Sequence, residues 1–296
     1  MSGPGKKTPP QRKRSGQPRQ GAETRESTRT PRPESRAGAA ARAIPRPPGL
    51  PTAGSAAQRV TVAVASGVAR LKILRPSFDH ALHTELVAAC ANLDLDEAVR
   101  VVLLELPPRC VAPISSTDSS PVPDGVAAVA ALRVPVLGLM RGLIADEWLE
   151  LALACDLRLA APATRFVISA VTGGDFPRHG ATQRLPRLIG QATALWMLLT
   201  GEPLTASRAQ ALGLVDRIVP TGEMLRVGRE QARRLALRAP IAQRFAKEAM
   251  RAAGDLPLAE GLRLEGDLYA LLQTTTDRLE GFTAFSERRR PRFSGR

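Results

Sequence analysis

From Val60 onward, short apolar runs alternate with stretches of helical spacing, and this pattern predicts most of the elements. Val60–Ala65 and Val68–Leu74 read as two strands around a tight turn at Ser66-Gly67. Leu82–Leu93 carries apolar residues at helical spacing. Val101–Leu106 is a continuous apolar run, the pattern of a buried strand, and Val134–Leu139 is another. Leu149–Cys155 is apolar on nearly every face, which predicts a buried helix leading into a strand at Leu157–Ala160. From Thr182 the pattern is mostly helical, with one strand near Val215–Val219. Strands alternating with helices, then a helical tail, predict an α/β layered domain. Pro107–Asp124, rich in Pro, Ser, Thr and Asp, reads as a long loop between two strands.

Composition narrows the function classes. The 296 residues are 44% hydrophobic, enough for a sizeable core, but only 3% aromatic, which argues against a base-stacking surface. Cys90, Cys110 and Cys155 form no CxxC pair and are joined by only three histidines. That pattern excludes a disulfide framework and a Cys/His zinc site, and it fits a reducing compartment. No apolar run reaches the roughly 18 residues that a membrane helix needs. The expectation is a soluble cytoplasmic protein that holds no metal and contacts no membrane.

The net charge of +14 is unevenly spread. Residues 1–60 hold 13 Lys and Arg against 3 acidic residues, and the remainder holds 29 against 25. Residues 1–58 are rich in Pro, Gly, Arg, Ser and Gln, with almost no large apolar residue, and are expected to be a disordered basic arm. Such an arm can serve nucleic acid or an acidic partner, or be a plain solvated extension.

Val134–Ala160 reads VPVLGLMRGLIADEWLELALACDLRLA and resembles the crotonase superfamily, the enoyl-CoA hydratase/isomerase proteins. Arg75-Pro76 with Ala81-Leu82, Thr182–Gly190 (TQRLPRLIG), Leu199–Gly201 through Gly213–Asp216, and Asp277–Gly281 through Pro291–Gly295 match further family stretches in order. The resemblance implies a crotonase-like ββα spiral core over residues 59–230 and a C-terminal helical trimerisation region over 231–296. It also implies a homotrimer or a hexamer made of two, an acyl-CoA ligand, and no cofactor besides the coenzyme A of the substrate.

In such proteins two backbone N–H groups stabilise a thioester enolate, and one or two carboxylates move protons. By position, Ala112 and Glu147 supply the N–H groups, Glu150 is the first carboxylate, and the backbone of Ala81 and Leu82 helps hold the CoA. The second carboxylate position falls on Ala170, which transfers no proton. Asp175 and His179 are the candidate substitutes, although a histidine in a Gly-rich loop is more often simply solvated. The family's glycine triplet is here Asp146-Glu147-Trp148. Glycine suits close ligand approach, and a carboxylate opposes a developing oxyanion, so the expectation is a closed pocket. The stretch between Ala112 and Val134 is about half the family's usual length, which removes helices that cover the acyl chain.

Three readings stay open on the sequence. One is a crotonase-type lyase or isomerase of fatty acid metabolism working with Glu150. Another is a non-catalytic acyl-CoA-binding protein or helper of a partner enzyme. The third is a scaffold whose basic arm binds nucleic acid.

Overall fold

The computed structural model describes residues 58–107, 110 and 123–296. The basic arm up to residue 57, most of the Pro107–Asp124 loop and Ala112 lie outside the described residues. Strands β1 (Val60–Ala65) and β2 (Val68–Ile73) form the hairpin expected around Ser66-Gly67, with Ala65 opposite Val68. Helix α1 (His80–Leu95) follows, its first turn capped by the Asp79 carboxylate, which accepts the Leu82 N–H at 3.0 Å. Next come β3 (Val101–Glu105), α2 (Gly125–Ala131), β4 (Val136–Met140), β5 (Leu143–Ala145), α3 (Glu147–Ala154), β6 (Leu157–Ala160) and β7 (Arg165–Val167).

The second half carries α4 (Ala181–Ile189), α5 (Gln191–Thr200), β8 (Leu204–Thr205), α6 (Ala206–Ala211) and β9 (Arg217–Ile218). It ends with α7 (Met224–Ala236), α8 (Pro240–Ala252), α9 (Leu258–Gln273) and α10 (Thr276–Ser286). The region after Thr182 holds two strands rather than one, and β5, β7 and α2 were not foreseen.

Six strands form one sheet in the order β1-β2-β3-β4-β6-β9, parallel except for the β1–β2 hairpin. The sheet is buried on both faces, which is why its inner strands are continuously apolar. Along β3, Val102 and Leu104 join a core with α1, α2 and α3, while Val101 and Leu103 face a second core with α7. Helix α7 comes close to the sheet: a Cβ at Gly228 would stand 2.8 Å from Leu139 Cδ2.

A smaller sheet, β5-β7-β8, bears directly on the site. Its parallel β5–β7 pair sets Ala145 opposite Val167, so the residues after both strands emerge together. Those residues are Asp146 and Glu147 on one side, Ser169 and Ala170 on the other.

Candidate active site

The triplet of larger residues is accommodated by three separate devices. Only its first residue requires the backbone freedom of glycine: Asp146 has φ 49° and ψ −117°, a conformation costly for a side-chain-bearing residue. Its carboxylate offsets the strain by accepting the Ser169 N–H and hydroxyl, each at 2.7 Å, and the Ala170 N–H at 3.0 Å. Glu147 and Trp148 are already helical. The Trp148 ring is fully buried and meets Phe78 edge-on, with centroids 4.8 Å apart.

The clamp at Asp146 can be tested by two substitutions. Asp146→Ala keeps the strained backbone and loses three hydrogen bonds, for an expected loss of about 2 kcal/mol. Asp146→Gly loses the same bonds and relieves the strain, so it is expected to be the milder change by about 1 kcal/mol. Urea midpoints measured side by side check the order; alanine at or above glycine would show that the backbone is unstrained.

Glu150, one turn further along α3, is 2% exposed. A single oxygen, Oε1, accepts the N–H of His179 at 2.8 Å and of Ala181 at 2.9 Å. These bonds fix the carboxyl against the start of α4. A cavity of about 160 Å³ persists here, contrary to the closed pocket expected from the sequence; its lining includes Asp146, Glu147, Glu150, Ala170, Asp175 and Arg178. The cavity survives because the Trp148 ring turns into the core and the small Ala170 leaves space opposite α3. Asp175 is on its exposed rim, where its carboxylate accepts the Phe176 N–H.

His179 is not a solvated loop residue. Its side chain is 12% exposed, with Nδ1 3.2 Å from Asp124 Oδ1 and Nε2 3.9 Å from Glu147 Oε1. Its ring also lies 4.8 Å from that of His83 on α1. The loop Arg178–Gly180 is drawn inward by the two bonds to Glu150, and this carries His179 under cover. Glu147 is 7% exposed; Arg178 reaches its Oε1 at 3.3 Å, while its Oε2 is buried with no hydrogen-bond partner among the described residues. Burial raises the Glu147 pKa above the usual carboxylate range, and the charge of Glu150 adds to this against His179 and Arg178. Burial also pushes His83 down to about 4, with His179 contributing. Burial raises all three cysteine thiols to about 12, which removes them as nucleophiles.

His83 and Asp124 are site residues that the sequence reading missed. Asp124 caps α2, accepting the Ala127 N–H at 2.9 Å. His83 occupies the apolar stripe of α1 together with Leu86 and Cys90, a pattern that was visible in the sequence. Ala81 and Leu82 start the same helix, and the Leu82 N–H is taken by its cap.

His83, Glu147 and His179 each offer one atom within 4.8 Å of the others, a spacing that could suit a metal ion. The Gly125 N–H donates to His83 Nδ1 at 3.1 Å, which leaves the ring proton on Nε2. Ligation through Nε2 would move that proton to Nδ1, setting N–H against N–H. The trio does not fit a metal while α2 keeps its start.

The fold thus carries a cavity walled by two buried carboxyls at the head of a buried helix. The comparisons give it a family. A model of the enoyl-CoA hydratase/isomerase family matches residues 115–296. The chain is similar to enoyl-CoA hydratase domain-containing protein 2, mitochondrial, of Bos taurus, at 37% identity over 77% of this chain and 85% of the relative. It is similar to (E)-benzylidenesuccinyl-CoA hydratase of Thauera aromatica, at 33% identity over 80% and 99%. Its fold matches the crystal structure of an enoyl-CoA hydratase from Bacillus anthracis, with TM-score 0.74 and 31% identity, covering 81% of this chain and all of that one. The chain belongs to the enoyl-CoA hydratase/isomerase family of the crotonase superfamily.

Proposed function

We propose that the chain binds an acyl-CoA thioester with its acyl carbons in the cavity at the head of α3, where Glu150 removes or returns the proton on the carbon next to the thioester. The observation that carries this reading is the Glu150 carboxyl, buried in the cavity wall and oriented by the two N–H groups of residues 179 and 181. A fixed carboxyl within reach of a carbon acid is what general base catalysis requires. The Glu147 N–H, at the first turn of α3, is the proposed donor to the thioester oxygen, together with Ala112. The step assigned to Glu150 is a proton transfer, and coenzyme A enters only with the substrate.

The test is deuterium exchange into the 2-position of butyryl-CoA by the full chain. Exchange is expected in the wild type and is expected to fall at least about 100-fold in Glu150→Gln, the scale of a lost general base. Calorimetric titration with CoA, acetyl-CoA and a medium-chain enoyl-CoA accompanies it, with tighter binding of the enoyl thioester expected. Neither exchange nor a preference for thioester over CoA would leave a crotonase scaffold without crotonase chemistry.

We also propose self-association as a trimer or a hexamer, and a cytoplasmic location. Exposed apolar side chains on α9 and α10, among them Leu258, Tyr269, Phe282 and Phe285, support the first. The three free cysteines are compatible with a reducing compartment.

A further inference from the structure

We propose that the side chain of Glu147 is a second catalytic acid–base group, acting on the oxygen at carbon 3 of the acyl chain, and that Asp124 and His179 keep it supplied with protons. The inference rests on the acyl-CoA reading above and names its substrate class: 3-hydroxyacyl-CoA and the matching 2-enoyl-CoA.

Glu147 and Glu150 are three residues apart on α3 and so share a helix face, and both line the one cavity. Their surroundings differ. Glu150 Oε1 is held by two backbone N–H groups, whereas Glu147 has one long contact from Arg178 and a buried Oε2 without a partner among the described residues. Two carboxyls held in unlike environments within one site are suited to opposite roles, the less supported one carrying the proton. Burial, which favours the protonated form of Glu147, supports the same assignment. A protonated Glu147 also removes the negative charge that would oppose an oxyanion at its own N–H.

In dehydration, Glu150 takes the proton from carbon 2, and the C–H pair forms the new double bond. The C3–O bond breaks, and the departing oxygen takes the Glu147 proton and leaves as water. Hydration runs the same steps backward, with the Glu147 carboxylate taking a proton from the attacking water. Glu147 regains its proton through His179, whose Nε2 is 3.9 Å from Glu147 Oε1 and whose Nδ1 is 3.2 Å from Asp124. The Asp124 side chain is 40% exposed, so the pair links the buried carboxyl to solvent. His179 and Asp124 are positioning residues in this scheme. The other charged or titratable groups facing Glu147 are His83 on α1, Asp146 just before α3, Glu150 on α3, and Arg178 and Asp175 in the loop before α4.

The experiment compares two rates on the full chain: exchange at carbon 2 of butyryl-CoA, and dehydration of 3-hydroxybutyryl-CoA across pH. Glu147→Gln is expected to lower dehydration at least about 100-fold more than exchange and to abolish the alkaline limb of the dehydration profile. His179→Gln is expected to shift that limb while the protein still melts as a folded species. Glu147→Ala with added formate tests the same point through chemical rescue, and restoration of dehydration is expected. If wild-type protein exchanges carbon 2 but does not dehydrate, or if Glu147→Gln lowers both rates equally, the inference falls while the Glu150 reading stands. If wild-type protein shows no exchange, the Glu150 reading falls first.

Discussion

Trp148→Ala is expected to lower the unfolding free energy by about 3–5 kcal/mol, the usual cost of truncating a fully buried tryptophan. The magnitude follows from the packing. The ring is 0% exposed, is among the largest fully buried side chains, and stands at 76° to Phe78, which itself touches the His83 ring. Truncation therefore leaves a cavity between α3 and the start of α1, and relaxation is limited because the sheet, α1 and α2 already enclose the space. The effect extends to function, since the same helical turn carries Asp146, Glu147 and Glu150. Denaturant titration of both proteins measures the loss, and a fall of less than about 1 kcal/mol would show that neighbouring side chains refill the site.

The main strands and the buried helix α3 were legible because each gives a distinct pattern. Val101–Glu105 and Val136–Met140 are buried along their whole length between two cores, and a sheet covered on both faces leaves a continuous apolar run. Strands β5 and β7 were illegible for the opposite reason. Each has three residues, too few to show a period, and they exist because they pair with each other. Helix α2 follows a Pro- and Ser-rich stretch, and Asp124, which reads as the end of that loop, is the cap that starts the helix.

The candidate site was legible in part. Glu150 and the importance of Glu147, Ala170 and His179 came from position in a motif. What those residues do to one another depends on contacts between distant parts of the chain, such as Ala181 N–H to Glu150, 31 residues apart, and Gly125 N–H to His83, 42 apart, and no local pattern reports these. The sequence presents the Glu147 carboxylate only as an obstacle to an oxyanion; its burial beside Arg178 and His179 depends on how the loop before α4 folds over it.

The buried histidine gives the protein an acid sensitivity whose sign is determined by the direction of its pKa shift. His83 titrates near 4 in the folded chain against an ordinary value of 6.5, chiefly because burial disfavours its charged form. Between those values the unfolded chain binds more protons than the folded one, so stability rises with pH across this interval and is flat above it. The difference of about 2.5 units corresponds to roughly 3 kcal/mol, lost as pH falls from 7 to 4. Glu147 works in the opposite direction, since a carboxyl whose pKa is raised by folding favours the folded state at low pH. A variant isolates the histidine. His83→Gln retains a side-chain acceptor for the Gly125 N–H but cannot take up a proton. Denaturation curves at pH 4 and pH 7 are expected to differ by roughly 3 kcal/mol less in this variant than in the wild type. Equal pH dependence in the two proteins would place the acid sensitivity elsewhere and would mean that His83 takes a proton without cost. The expected outcome connects stability to the site itself, because protonating His83 would break its bond to Gly125, release the start of α2, and separate Asp124 from His179.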